Sequence, residues 1–470
     1  MKSKQIIYKI SLILLFFAGI FLRFFNLDTT ARFTRDESSD LVKIKQIIDQ
    51  KDITLIGPTA EGNTGIFSSL TYYISLPFVY FSKNNPVSPA WASAFYGSVT
   101  ILLIWIYFKK QKDIWKPIYF LPIVLTPFIQ MSRWAWNPHF IPLWQILGIL
   151  ILSSNLPLNF FISGIIFGLT IHQHWYAVFS CLGMAVLILI KNKKIKPLLY
   201  FLTGLFISIC PFILFDLTHP PGLFFSRMLY FSPVAINQSL NIFSIFSRVL
   251  TIPFQFFNYL TFHQPILTWL IILLTTILII KNFYQKKSNL NLFLIPILFQ
   301  FLGLSIISTP IEDRYLIPGI IFFIIWLSYN AKNIFAKILI ITLIFSGLYS
   351  LPKIIFQNDW TNNLTALTEI TQIIENKSSS INKFNLVVLQ SPDQNTKGSR
   401  FRDLLKIKNI NPLPPEDYSN PNSLFVITYS DNWEKIKTDP AYEMDHFRKN
   451  QPDQVWKIKN SQWFLYQVNK

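Results

Sequence analysis

The sequence predicts a mainly α, polytopic membrane protein of about eleven transmembrane helices, followed by a small C-terminal soluble α/β domain. Three observations carry that prediction. The 470 residues are 51% hydrophobic and only 14% charged, with a mean hydropathy of +0.38, too apolar for a soluble chain of this length. Apolar runs recur near the spanning length of about 20 residues. After Pro352 those runs stop, and short alternating segments replace them.

The first run, Ile6 to Phe25, has no small-residue cleavage site, so it reads as a retained span and not as a cleaved leader. The outer loop that follows, 26–89, is expected to be structured. Leu41–Gln50 places Leu41, Ile44, Ile47 and Ile48 on one helical face, the pattern of a helix lying on a surface. Gly65–Ser82, with Tyr72, Tyr73 and Tyr80, reads as an interfacial or re-entrant helix, because a full span there would invert every later loop. Further runs over about 90–108, 117–132, 139–153, 158–174, 176–190, 197–215, 264–280, 290–308, 315–330 and 334–351 complete the spans. Lysine clusters in "MKSK", "KKQKDIWK", "KNKKIK", "KNFYQKK" and "AKNIFAK" place the N-terminus and alternate loops in the cytoplasm of a plasma-membrane protein. In the tail, "KFNLVVLQ", "SLFVITYS", "QVWKIKN" and "QWFLYQV" read as strands, and Trp360–Asn376 and Arg400–Ile407 as helices. The expected division is a membrane domain at 1–351 and an extracytoplasmic domain at 352–470.

Net charge is +18, but 27 of the 42 Lys and Arg lie in the first 350 residues, largely in short clusters between apolar runs. That distribution orients a membrane protein and argues against a nucleic-acid partner, as does a tail with 15 basic and 13 acidic residues. Cys181 and Cys210 lie in apolar runs without the spacing of a disulfide framework or thiolate metal site. Of the 11 Asp and Glu in residues 1–350, this layout puts ten outside and only Asp113 in the cytoplasm. His139, His172, His174, His219 and His263 fall outside as well. Acids are weak topology determinants, so polar groups gathered on one face predict a site there.

Six stretches on that face are candidates. In "RFTRDESSD", Asp36 and Glu37 stand where membrane meets water; a carboxylate there suits a general base or a hard metal ligand, an ion pair with Arg32 or Arg35 being the competing reading. In "GPTAEGNTG", Glu61 and Asn63 are sugar contacts or plain loop residues. "SRWAWNPHF" carries Arg133, Trp134, Trp136, Asn137 and His139; aromatic and amide groups suit stacking and hydrogen bonding to a sugar, while Trp is also the usual interfacial anchor. In "HQHW", His172 and His174 are two apart and share no helical face, which favours one histidine facing a site over a two-histidine metal site. In "TPIEDRYLIPG", Arg314 suits bidentate phosphate binding and Tyr315 a hydrogen bond, against a structural pair of Arg314 with Glu312. Asp216 and His219 read equally well as helix caps.

A first span followed by "RDE", then "GP…YY", "SRWAWNP", "HQHW" and "EDRYLIPG", in this order and on one face, resembles the GT-C superfamily of membrane glycosyltransferases. The nearest branch is the bacterial group related to protein O-mannosyltransferases and the lipid A aminoarabinose transferase, and the resemblance covers roughly residues 1–350. It implies inverting transfer of a sugar, hexose or pentose, from a polyprenyl-phosphate donor held among membrane lipids to a protein, lipid or glycan acceptor at the outer face. It also implies Asp36 as the base with Glu37 in support, and Arg314, with Arg133, stabilising charge on the phosphate. Asn137, His172, His174, Glu312, Tyr315 and Glu61 complete the expected donor-binding set, and Asp36 is the one candidate ligand for a divalent metal. The "GP" position lacks the Lys or His before a double proline found in better-known relatives, and Asn137 stands where some relatives have Asp. A transporter is the main alternative, but it would need ionisable residues in mid-span. An O-antigen ligase-type enzyme would use Arg and His in a large loop and leave Asp36 dispensable; a non-catalytic scaffold would need none of the outer acids.

Overall fold

The computed structural model describes residues 2–59, 66–111, 114–154, 156–224, 242–307, 310–357, 364–379, 383–391, 393–417, 420–441, 444–447 and 451–470. The chain divides into two compact units. One comprises Met1–Phe25, Thr54–Thr71 and Ala92–Ile355; the other comprises Asn26–Ile53, Tyr72–Trp91 and Phe356–Lys470. The C-terminal stretch Phe356–Lys470 thus forms one unit with two stretches of the first loop.

The first unit is a polytopic bundle of helices, and every apolar run named above falls in helical structure. Five helices among the described residues are long and apolar enough to cross a membrane: Ile6–Phe24, Ser88–Lys109, Ile195–Thr218, Pro265–Tyr284 and Ile334–Phe356. Their outward faces carry large apolar side chains such as Leu14, Phe17, Phe206, Ile266 and Phe345, each more than half exposed, as a lipid-facing surface requires. Other runs are broken by proline. Lys116–Phe120, Leu121–Val124 and Thr126–Met131 replace one span, with Pro127 unable to donate to the carbonyl of Ile123. The fully buried Arg23 fills that gap, donating to the carbonyls of Ile123 (3.3 Å), Pro122 (3.1 Å) and Gly19 (2.9 Å). The Pro157–Gln173 and Ile195–Thr218 helices meet at Gly164 and Gly204, where an added Cβ would stand 2.0 Å from the carbonyl oxygens of Phe201 and Phe161.

A further helix, Ile242–Leu260, is absent from the sequence reading. Its apolar residues are split between a buried set, Ile252, Phe256 and Phe257, and an exposed set, Ile242, Phe243 and Phe246, while Arg248, Pro253 and Asn258 interrupt the run. Gly65–Ser82 does not span: it forms strand β2 (Ile66–Ser68), paired antiparallel with β1 (Ile56–Thr59), and a helix at Leu70–Phe81. That helix rises only about 18 Å, short of the roughly 30 Å hydrocarbon core.

The second unit is built on a four-stranded sheet of β3 (Phe384–Leu389), β4 (Ser423–Thr428), β5 (Gln454–Lys457) and β6 (Phe464–Asn469), ordered β3-β4-β6-β5, with only the β3–β4 pair parallel. Every residue of β3 and β4 is buried, which explains their unbroken apolar runs. The Arg35–Gln50 helix buries Leu41, Ile44 and Ile47 and packs on the Ser399–Ile407 helix. Its apolar face is thus covered by protein, which corrects the expectation of a helix lying on the membrane surface. Arg400 Nη1 donates to the Phe33 carbonyl (2.8 Å) and Ser38 Oγ donates to Asp403 (2.7 Å), fixing the loop to the tail.

Candidate active site

Within the second unit, Thr34 caps the Arg35–Gln50 helix. Its side chain accepts from the backbone of Glu37, and the Glu37 carboxylate returns to the Thr34 backbone N–H at 2.6 Å and to the Thr34 hydroxyl, a complete capping box. The "TRDE" spacing, Thr followed three residues later by Glu, dictates this geometry. Glu37 is 97% shielded from solvent (3% exposed), whereas Asp36, one residue earlier in the first turn, is exposed. One turn on, burial pushes the Asp40 carboxyl well above the usual range, and the neighbouring Glu37 and Asp36 add to the effect. Tyr72 hydrogen-bonds Asp40, and its hydroxyl is pushed up by burial and by that carboxyl. Sequence reasoning missed Asp40 and Tyr72 as neighbours of Asp36, although the i, i+4 spacing of Asp36 and Asp40 was a legible signal.

Within the first unit, turns between helices gather a second group. The rings of Trp134 and Trp136 stack at 4.4 Å, and His139 meets both edge-on. The Arg314 guanidinium lies 4.8 Å from the Trp136 ring and 5.1 Å from that of Tyr315, donates to Glu312 Oε1 at 2.6 Å and approaches the Tyr315 hydroxyl at 3.3 Å. Tyr315 packs against His174 (5.3 Å) and Tyr176 (4.6 Å), and His174 packs against Phe67 (5.3 Å). Gln300 Nε2 holds the Tyr315 carbonyl at 2.8 Å. His174 is the first residue past its helix, and burial, with the Arg314 charge beside it, pushes its imidazole down to about 3. It is therefore neutral at physiological pH. The result is a cation held on aromatic faces, with an exposed carboxylate, Glu312, as its partner. A phosphate would take the position of that carboxylate on the guanidinium fork.

Four other expected residues are used by the fold. Arg133 is buried and Nη1 donates to the carbonyls of Leu22 (2.9 Å) and Arg23 (3.2 Å), closing the C-terminus of the first helix. Burial lowers it to about 10, so it stays charged at neutral pH. Asn137 Nδ2 donates to the Gln173 carbonyl (2.8 Å). His172 has Nδ1 at 3.1 Å from Ser68 Oγ and Nε2 at 2.9 Å from the Ser208 carbonyl, which occupies both ring nitrogens. Asp216 Oδ1 accepts from Leu223 N and Phe224 N, tying the last turn of its helix to the loop that follows. Glu61 and Asn63 lie outside the described residues. Arg248, on the helix missing from the sequence reading, interacts electrostatically with Tyr176 and so adjoins the Arg314 group. Among the described residues no three His, Cys, Asp or Glu side chains are grouped to hold a metal ion.

A polytopic helical unit whose turns present an arginine on aromatic faces, in a chain that ends in a small α/β unit, is an architecture met among solved structures. Two solved structures share it: ArnT from Cupriavidus metallidurans bound to undecaprenyl phosphate, at TM-score 0.59 and 11% identity over 98% of this chain and 97% of that one, and the same protein in its apo state, at TM-score 0.57 and 10% identity over 99% and 98%. No protein-family model matches the sequence, and no curated protein matches it either.

Proposed function

We propose that this protein is a glycosyltransferase that moves a sugar from a polyprenyl-phosphate donor to a protein, lipid or glycan acceptor at the extracytoplasmic face of the plasma membrane. The observation that carries the reading is the Arg314 group, a phosphate-ready guanidinium within a fold whose solved example is bound to undecaprenyl phosphate. Asp36 takes the proton from the acceptor nucleophile as its lone pair attacks the anomeric carbon. The bond from that carbon to the donor phosphate oxygen breaks, the anomeric centre inverts, and polyprenyl phosphate leaves with the added negative charge. Arg314, with the Tyr315 hydroxyl, stabilises that charge as it grows. Glu37 supports the step by holding the helix turn that carries Asp36, and Arg133 acts by fixing the end of the first helix.

The test uses purified full-length protein in detergent or lipid, offered polyprenyl-phosphate-linked hexoses and pentoses and an envelope extract as acceptor. Mass spectrometry follows release of polyprenyl phosphate. Release by wild type that falls at least about a hundredfold in Asp36→Asn supports the base assignment. Release unchanged in both Asp36→Asn and Arg314→Ala overturns the mechanism.

A further inference from the structure

Three fully buried polar side chains of the first unit have no role in the mechanism above: Gln145 on the Ile141–Ile151 helix, Ser180 on the Ala177–Asn192 helix and Gln300 on the Ile295–Ser305 helix. They belong to one connected set of hydrogen bonds. Gln300 Nε2 donates to the Tyr315 carbonyl (2.8 Å), and Gln300 Oε1 accepts from the Ser180 backbone N–H (3.2 Å). Gln145 Nε2 donates to the Pro318 carbonyl (2.9 Å) and lies 3.4 Å from Ser180 Oγ. The turn from Tyr315 to Pro318 is therefore held at both ends, and both holds lead back to Ser180.

Pro318 creates the need for one of these donors. Ile317–Gly319 is a 3-10 turn, in which an N–H reaches the carbonyl three residues earlier, and Pro318, the residue placed to serve the Tyr315 carbonyl, has no N–H. A buried carbonyl without a donor is costly, and Gln300 supplies the donor from another helix. Leu or Met at 145 and 300 would fill the same space; what the amides add is register, because a buried network satisfied in one arrangement fixes that arrangement. The orientation of the Gln300 amide is itself dictated, since the Tyr315 carbonyl can only accept and the Ser180 N–H can only donate. What the network fixes is the surroundings of Arg314. The Tyr315 ring lies 5.1 Å from the Arg314 guanidinium, and Tyr176, four residues before Ser180, packs its ring on Tyr315 at 4.6 Å. One buried amide thus spans the two turns whose side chains meet at Arg314.

We propose that Gln300 is a positioning residue of the phosphate site, supported by Gln145 and Ser180: it sets where the Tyr315 backbone, and with it the Arg314 guanidinium, stands against the Tyr176 turn. The kinetic half of the inference rests on the glycosyltransferase reading; the clamp itself does not. The experiment separates them. Full-length wild type, Gln300→Met, which keeps the length and loses both hydrogen bonds, and the milder Gln300→Asn, whose amide is a methylene too short to bridge, are purified in detergent and checked for folding by thermal melting. Each is measured for deuterium uptake in peptides covering 176–183 and 312–319, and for release of polyprenyl phosphate, alone and combined with Arg314→Ala. In a folded variant, uptake is expected to be faster in both peptides and kcat to fall at least about tenfold, the scale of a small misplacement of a reacting group. On top of Arg314→Ala the further loss should be less than about threefold, because the amide acts through that turn. A folded variant with wild-type kcat or wild-type uptake, or with its full loss repeated on top of Arg314→Ala, overturns the inference. Failure of both variants to fold also overturns it, assigning the amide to stability. Faster uptake in the variants, with no release of polyprenyl phosphate by wild type from any donor, overturns the glycosyltransferase reading and leaves the clamp standing.

Discussion

Glu37 provides the sharpest test, because its carboxylate is adjacent in sequence to the proposed base and also makes the helix cap. Replacing it by Gln keeps an acceptor oxygen for the Thr34 N–H, since Gln is a regular third residue of a capping box, and removes only the charge. Replacing it by Ala deletes both bonds of the carboxylate, from the Thr34 N–H and the Thr34 hydroxyl, and leaves the Thr34 backbone donor without that partner. From the loss of such a cap the expected cost is about 1–2 kcal/mol. For a unit of roughly 150–250 residues that shifts the melting midpoint by roughly 2–8 °C. Melting followed by tryptophan fluorescence in detergent, alongside polyprenyl-phosphate release, reads both effects. Glu37→Gln should melt like wild type and keep activity within about threefold, while Glu37→Ala should melt earlier and lose activity in part, as the turn carrying Asp36 frays. Asp36→Asn should melt like wild type and lose at least about a hundredfold in rate. A Glu37→Gln protein that is folded, melts normally and is as inactive as Asp36→Asn would refute the reasoning, because the charge and not the cap would then be what the reaction needs.

Three further outcomes are expected. Arg314→Ala should lower kcat by about 10²–10³, the scale of removing one preorganised donor, and Arg314→Lys should recover only part of it, because an ammonium lacks the planar fork that stacks on Trp136; steady-state release of polyprenyl phosphate checks both. His174 is held neutral down to about 3 in the folded chain while its unfolded value is near 6.5, so the unfolded state binds the extra proton: stability should fall as pH drops from about 6.5 toward 3, with no contribution above that window. His174→Phe, which keeps a ring among Phe67, Tyr176 and Tyr315, should flatten that acid limb in melts recorded across pH. Gly164→Val should destabilise by at least about 1–3 kcal/mol or prevent folding, since its Cβ would need the 2.0 Å gap to Phe201 O to open; fluorescence-detected size exclusion of the detergent extract reports it.

Periodicity made the tail legible almost element by element, because β3, β4 and β6 are short apolar runs bounded by turn residues and the Ser399–Ile407 helix keeps its 3.6-residue rhythm. It failed at Ile242–Leu260, where a helix with Arg248, Pro253 and Asn258 in it loses the uniform apolarity by which spans are read. The capping box at Thr34 was also in plain view, four letters long, but its meaning for Glu37 competes with catalysis until the hydrogen bonds are seen. What no local pattern carries is whether a polar side chain has already spent its capacity on a distant backbone carbonyl. Arg133 and Arg314 illustrate the difference: both are arginines next to aromatic residues in turns of the same unit. Arg133 reaches the carbonyls of Leu22 and Arg23, more than a hundred residues earlier, because the first helix ends there and the last-turn carbonyls of a helix have no partner within it. Arg314 bonds instead to a carboxylate two residues away that is half exposed, a weak surface pair that a phosphate dianion can displace at little cost. The same residue type is therefore structural in one turn and available in the other, and it is the availability of Arg314, more than its sequence motif, that makes it the phosphate ligand of the proposed reaction.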